Sequence, residues 1–332
     1  MEKTNQPITY FGVDVSKDSL SIAQQLVPNP KEKNAWEIRQ IDNLQESILS
    51  YLETLGSDIH FVFEATGTYS YALSYCLELL DIPFSILSPN QSNSFAEVVK
   101  SISQNDARDA ALLAYYGSAI KPPRTTLCSE KMHHLRQKRG YLEHLQQQLQ
   151  ATNNRLHALN YDARADKLVI EDLQNMKQIY QQKIEKFKQE ICTLSDDEMQ
   201  GISQNLQTIT GIGSTSANAL VIATNGFKDF DNPKQLAKFF GLIGRSKESG
   251  SSVHRKSGIL KTGQSSLRAI LYMAASSARR FNSSCKELYE RLRAKGKCHK
   301  VAIIAVVHKL IRIAFAIVKN NTSFDPNWAQ TK

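Results

Sequence analysis

Four carboxylates in the first third of this 332-residue chain stand where chemistry could be done: Asp14, Glu64, Asp106 and Asp109. Asp14 lies inside the apolar run Tyr10-Phe-Gly-Val-Asp-Val15, and Glu64 ends another, His60-Phe-Val-Phe-Glu64. Asp106 and Asp109 form a D-x-x-D pair just ahead of the apolar run Ala110-Ala-Leu-Leu-Ala114. Carboxylates set among apolar residues are costly unless a positive charge compensates them. A divalent cation is the usual compensation, and such a cluster suits Mg²⁺, or Mn²⁺, at a phosphodiester. Taken singly, each acid has a plainer reading. An Asp near a turn is commonly a cap, and D-x-x-D on a helix is commonly a solvated face. Spacing and strand order together carry the chemical reading.

The elements that must position these acids follow from the hydrophobic pattern. Residues 8–16, 18–27 and 35–41 read as three strands, with Pro28 and Pro30 marking the second connection. A helix is predicted over about 43–56, a short buried strand over 60–65, a helix from Tyr69 to Leu80 and a strand over 83–88. One helical pattern runs from about Asn90 to Gly117. The order β-β-β-α-β-α-β-α defines a mixed α/β layer with helices on the sheet. On it, a carboxylate at mid-strand can meet a second at a neighbouring strand end. Asp106 and Asp109, three apart, share a helix face that can close over both.

Lys121-Pro-Pro-Arg124 marks a boundary, after which the composition shifts to long polar helices. One seam runs through Leu135, Leu142, Leu145, Leu149, Thr152, Leu156 and Leu159, and a second through Leu173, Met176, Tyr180, Ile184, Phe187, Ile191 and Leu194. They predict either an antiparallel coiled-coil hairpin or pairing between subunits. Farther on, Leu206-Gln-Thr-Ile-Thr-Gly-Ile-Gly213 has the look of a helix-hairpin-helix turn. There Gly211 and Gly213 would let backbone N–H groups approach a DNA phosphate; an ordinary interhelix turn would read the same. Helices are expected at 217–224, 233–240, 264–281 and 300–319. The domains are 1–122 (α/β catalytic), 123–198 (coiled coil), 199–322 (mainly α-helical) and a 323–332 tail.

The net charge is +9, unevenly spread. Residues 1–120 net −8 and residues 121–332 net +17. An acidic head on a basic body suggests a metal-binding catalytic domain joined to a polyanion-binding remainder. Five dispersed cysteines without CxxC spacing argue against a disulfide framework and a zinc site. The N-terminus lacks an apolar signal region, and Val301–Val307 is interrupted by His308 and Lys309, so no membrane span is expected. The expected compartment is the cytoplasm, associated with the nucleoid. The histidines form no recognisable triad or metal spacing.

This order of elements and acids resembles the RNase H-like fold in its RuvC-like form. The blocks Gly12-Val-Asp-Val-Ser-Lys17, Glu64-Ala-Thr-Gly-Thr-Tyr69 and Asn105-Asp-Ala-Arg-Asp-Ala110 resemble those of the DEDD transposases of the insertion-sequence-110 family, which includes pilin-gene inversion recombinases. Farther on, Thr208-Ile-Thr-Gly-Ile-Gly213, Phe239-Phe-Gly-Leu242, Glu248-Ser-Gly250 and Lys261-Thr-Gly-Gln-Ser-Ser-Leu-Arg268 resemble that family's C-terminal transposase domain. The chain departs from the family at Gly244, usually proline, and at Ser103-Gln-Asn105, usually led by Lys-Thr; neither change removes a chemical group.

The resemblance implies that Asp14, Glu64, Asp106 and Asp109 are metal ligands and that Ser249 is a nucleophile forming a transient phosphoserine link to DNA. Ser251 and Ser252 are its rivals in the same stretch. Phosphate contact would engage Arg245, Lys247, Arg255, Lys256, Lys261 and Arg268, with Arg279 to Lys300 either continuing it or forming a solvated basic face. The implied protein cuts and rejoins strands at a mobile element's ends and at a target, as a dimer or tetramer, directed by an element-encoded RNA that pairs with both DNAs. Two alternatives stand beside it. One is a RuvC-like metal-dependent nuclease acting by water attack; the other is a nucleic-acid-binding protein with a dead catalytic core.

Overall fold

The computed structural model describes residues 8–27, 35–99, 106–194, 196–249, 253–259 and 263–325. The chain divides into two compact units, Met1–Leu127 and Cys128–Lys332.

In the first unit, β1 (Thr9–Val15), β2 (Ser19–Gln25) and β3 (Trp36–Asp42) form an antiparallel meander. After α1 (Gln45–Leu52), β4 (Ile59–Glu64) returns parallel to β1. After α2 (Tyr71–Leu79), β5 (Phe84–Leu87) extends the sheet in parallel, giving the order β3-β2-β1-β4-β5. Alternate residues serve opposite faces. Phe11, Val13, Val15, Phe61 and Phe63 pack with Ile48 and Leu52 of α1 and Leu73 and Leu77 of α2. On the other face, Tyr10 and Val62 pack with Leu113 of α4 (Asp106–Ile120). A mid-sheet strand buried on both sides reads as a near-continuous apolar run, which is why β1 and β4 were legible.

The single helix expected over residues 90–117 is two: α3 (Pro89–Val99) and α4. The polar 100–105 stretch between them lies outside the described residues. A carboxylate at a helix start interacts favourably with the helix dipole, which suits Asp106 as the first residue of α4.

Gly12 explains how α4 reaches the sheet. A methyl group there would overlap the Ala110 carbonyl oxygen and the Ala114 amide, so only glycine lets the helix lie directly on β1. Gly12→Ala is expected to displace α4 and to destabilise the first unit by about 3 kcal/mol. A denaturant melt checks this; an unchanged midpoint would contradict it.

At the β5 edge, Thr125 N donates to the Phe84 carbonyl at 2.7 Å, and the Thr125 hydroxyl accepts from Ile86 N at 3.0 Å. The buried Ser85 hydroxyl donates to the Pro123 carbonyl at 2.7 Å and therefore accepts from His60 Nε2 at 2.8 Å. Burial, and secondarily the Arg124 charge, push the His60 pKa below the ordinary 6.5. The unfolded chain then takes up this proton more readily than the folded one. Stability is therefore full above pH 6.5 and falls as pH drops below it. His60→Gln is expected to flatten that segment of a stability–pH profile, and an unaltered slope would refute the assignment.

In the second unit, α5 (Glu130–Leu159) and α6 (Lys167–Leu194) pair antiparallel within the chain. Lys138 meets Glu190 while Tyr141 meets Phe187, so one helix ascends as the other descends. Leu135, Leu142 and Leu145 pack with Ile184 and Ile191 along the expected seams.

The pair continues into a bundle of α7 (Asp197–Gln207), α8 (Ser214–Thr224), α9 (Pro233–Phe239), α10 (Ser265–Phe281), α11 (Ser283–Ala294) and α12 (His299–Asn320). α12 runs through His308 and Lys309 and, over its 22 residues, is long and apolar enough to cross a membrane by length and composition. It is nonetheless the central core helix of this bundle. Ile303, Val306, Val307, Leu310, Ile311 and Ala314 are buried in it, and the two polar groups find carbonyls: His308 meets Leu242 O, and Lys309 donates to Ser284 O.

One element was not legible in the sequence. Between α9 and α10 lies a hairpin, β6 (Gly244–Ser249) and β7 (Val253–Ile259). Its residues are polar and basic, so no apolar alternation announces it.

Candidate functional site

Three elements carry the acids toward one end of one sheet face. The last rung of the β1–β4 ladder pairs Val13 with Phe63, so Asp14 and Glu64 are the next residues on adjacent parallel strands. Both fall on the face that carries Gly12 and Val62, the α4 face. Ala110 and Ala114 pass over Gly12, whereas Gly117 passes over Tyr10. α4 therefore runs antiparallel to β1, and its N-terminal turn, with Asp106 and Asp109, lies toward the Asp14 and Glu64 end. Asp14, Glu64 and Asp109 are each partly exposed, so this end of the sheet is open to solvent.

For Asp106 the description covers the backbone only. Among the described residues, no three His, Cys, Asp or Glu side chains stand close enough together to hold a metal ion. The chemistry of the set still suits a hard cation, since all four groups are carboxylates. The residue that sequence reasoning passed over is Gly12. Its signal was available, because a glycine inside a strand commonly marks a close backbone approach.

Ser249 is the last residue of β6 and pairs with Val253 at the end of the hairpin. For Arg245, Lys247, Ser249, Arg255 and Lys256 the description covers the backbone only, and Lys261 lies outside the described residues. The register sets Lys247 opposite Arg255 and Ser246 opposite Lys256, with an irregularity between Gly244 and Ser246.

Arg268 has a structural task. Its guanidinium donates to the carbonyls of Gly263 at 3.1 Å and Phe240 at 3.4 Å, tying α10 to the turns on either side of the hairpin. Gly211 is also spoken for. Its φ is +111°, and a Cβ there would stand 2.8 Å from the Ala274 carbonyl oxygen, so it serves the packing of α10. Gly213, the other glycine of that turn, faces open space.

The acid-bearing sheet with α4 and the basic hairpin fall in two separate spans of family similarity. A transposase model of the IS110 DEDD type matches residues 11–159, and a model described as the transposase IS116/IS110/IS902 family matches residues 203–290. The first span contains all four acids and the second contains Ser249. The chain belongs to this family of transposases and is a DNA transposase/recombinase enzyme.

It is similar to the pilin gene-inverting protein of Moraxella bovis, at 29% identity over 96% of this chain and 98% of that protein. The pilin gene-inverting protein of Moraxella lacunata is 28% identical over the same shares. An insertion element IS110 uncharacterized 43.6 kDa protein of Streptomyces coelicolor is 25% identical over 39% of this chain and 31% of that protein.

Proposed function

We propose that this enzyme cuts and rejoins DNA strands at the ends of a mobile element and at a target, using Ser249 as nucleophile and the four acids as a metal-binding set. The first unit is read as RNase H-like in its RuvC-like form, and α5–α6 as a coiled-coil hairpin that also serves assembly. The observation that supports this best is the convergence of Asp14, Glu64 and the N-terminal turn of α4 at one end of one sheet face.

Asp14, Glu64, Asp106 and Asp109 would hold Mg²⁺, which supplies neutralisation of the phosphate and stabilisation of the leaving oxygen. The chain's own groups do the rest. The Ser249 Oγ forms a bond to phosphorus as the bond from phosphorus to the 3′ oxygen breaks. The serine proton leaves to a base, and the departing 3′ oxygen acquires one. Attack by the 3′ hydroxyl of another strand on the phosphoserine then restores a phosphodiester and frees the serine. Because the link conserves the ester, rejoining needs no high-energy cofactor.

The hairpin cations position the DNA backbone without reading bases. Sequence choice is delegated to an element-encoded RNA, in keeping with the +17 charge of residues 121–332. The working form is a homo-oligomer, a dimer or tetramer, in which the acids of one subunit serve Ser249 of another. Pilin-gene inversion, named for the Moraxella relatives, and transposition are two outcomes of this one chemistry.

The test uses purified full-length protein, the DNA of both ends and target, and RNA transcribed from the flanking non-coding stretch. A denaturation-resistant protein–DNA adduct is expected with Mg²⁺, to disappear with chelator and to return when Mg²⁺ is restored. Adduct formation unaffected by chelation would overturn the metal reading, and efficient recombination without the RNA would overturn the guided one.

A further inference from the structure

The far end of the α11–α12 pair has no role in the chemistry above, yet it concentrates charge. Residues 279–300 carry eight lysines and arginines against two glutamates. The fold gathers most of these cations at one place. Lys309 of α12 donates to the Ser284 carbonyl at the start of α11, while His299 at the start of α12 meets Tyr289 farther along α11 at 2.7 Å. The two helices are therefore antiparallel. Arg291 and Arg293 at the end of α11, Lys295 and Lys297 in the connecting turn, and Lys300 in the first turn of α12 meet at one end of the pair.

A node of side-chain contacts ties that end to α10. The second ring nitrogen of His299 meets the Tyr272 hydroxyl of α10 at 3.3 Å, so one imidazole joins three helices. The Arg279 guanidinium lies over the Tyr289 ring, 5.1 Å from its centroid. The Arg279 Nε is buried and finds no acceptor among the described residues.

The cations themselves are poorly compensated. Arg291, Arg293, Lys295, Lys297 and Lys300 are exposed, and no ion-pair partner accompanies them among the described residues. Of the two acids, Glu290 sits 4.0 Å from Lys286, and Glu287 lies about one turn before Arg291. Five uncompensated cations at one end of a helix pair repel one another and raise the local potential for a polyanion. The tyrosine hydroxyls of the node are engaged by His299, and the groups exposed at this end are cationic, which suits phosphate contact.

We propose that this end of the α11–α12 pair is a second nucleic-acid surface, separate in sequence from the β6–β7 hairpin, that binds the phosphodiester backbone irrespective of base sequence. It rests on the nucleic-acid chemistry proposed above and assigns part of the binding to a surface outside the hairpin. Backbone binding of this kind is common to DNA and RNA, so the test carries both.

The full-length protein and a variant combining Arg291→Gln, Lys295→Gln, Lys297→Gln and Lys300→Gln are titrated against a duplex DNA and an RNA hairpin of arbitrary sequence. Each titration is repeated over a series of salt concentrations. With roughly 0.7–0.9 counterions released per phosphate contact, the slope of log Kd against log salt is expected to fall by about 2–4 in the variant. A fall with DNA alone assigns the surface to DNA, and a fall with RNA alone assigns it to the RNA. A second variant, Glu287→Gln with Glu290→Gln, is expected to tighten binding to the same probe, which a general weakening of the fold would not do. Unchanged slopes with both probes would overturn the proposal. If the four-fold variant keeps the wild-type slopes yet still forms the Mg²⁺-dependent serine adduct at low salt, the surface alone has failed and the chemistry stands.

Discussion

Ser249→Ala is expected to abolish the covalent protein–DNA adduct and strand rejoining, with a loss on the order of 10⁴-fold or more in rate. A reaction that loses its nucleophile keeps only what binding and electrostatics supply. DNA affinity is expected to stay within about twofold, because a neutral hydroxyl releases no counterion. This pattern separates the serine reading from a resolvase-like nuclease. If water were the attacking group, Ser249 would be idle and the alanine variant would cleave at the wild-type rate. Ser249 closes the strand pairing with Val253 next to residues 250–252, so the substitution removes one oxygen from an edge position and leaves the hairpin's backbone bonds in place. Ser251→Ala and Ser252→Ala are the matched controls and are expected to retain adduct formation.

Asp14→Asn is the second large effect. It keeps the size of the side chain and removes the charge that a hard cation requires. Strand cleavage is expected to fall on the order of 10³-fold. Nucleic-acid binding, which draws on the basic second unit, is expected to persist. The same variant carries a readout independent of turnover. A metal bound only by the folded state raises the melting temperature with concentration, and that Mg²⁺-dependent rise is expected in the wild type and absent in Asp14→Asn. Recombination that survives Asp14→Asn unaltered would support the reading of a binding protein whose acids are idle. Glu64→Gln tests the neighbouring strand in the same way, because Glu64 follows the Val13–Phe63 rung that places it beside Asp14.

Much of this architecture could be read from the chain, for reasons that differ by element. β1 and β4 are buried on both faces, so their apolar runs stood out, and the acids interrupting or ending them stood out against that background. The seams of α5 and α6 predicted two long helices; which partner each would find was open, and the Lys138–Glu190 and Tyr141–Phe187 contacts pair them within the chain.

The hairpin that carries Ser249 was hidden, because a strand pair made of Arg, Ser, Lys and Glu has no hydrophobic period. The apolar run Val301–Val307 is interrupted at His308 and Lys309, while the helix expected over 300–319 continues through both as α12. A helix can carry both through its core when carbonyls of neighbouring turns accept hydrogen bonds from them, and such carbonyls cannot be located before the fold is known. For Gly211 the sequence leaves a phosphate contact and an ordinary interhelix turn equally open; the structure adds that a Cβ there would meet the Ala274 carbonyl of α10, a neighbour that the glycine's motif does not name. At Gly12 the sequence did hold the clue, a glycine within an apolar strand, whose meaning depended on the helix that arrives about a hundred residues later.

The most direct measurement is the identity of the residue bonded to DNA. The adduct formed with Mg²⁺, RNA and both DNAs would be trapped by denaturation, digested with nuclease and protease, and sequenced by mass spectrometry. A nucleotide phosphate on Ser249 is the predicted result. A phosphate on Ser251 or Ser252, or strand cleavage that proceeds with no protein-linked nucleotide, would contradict it.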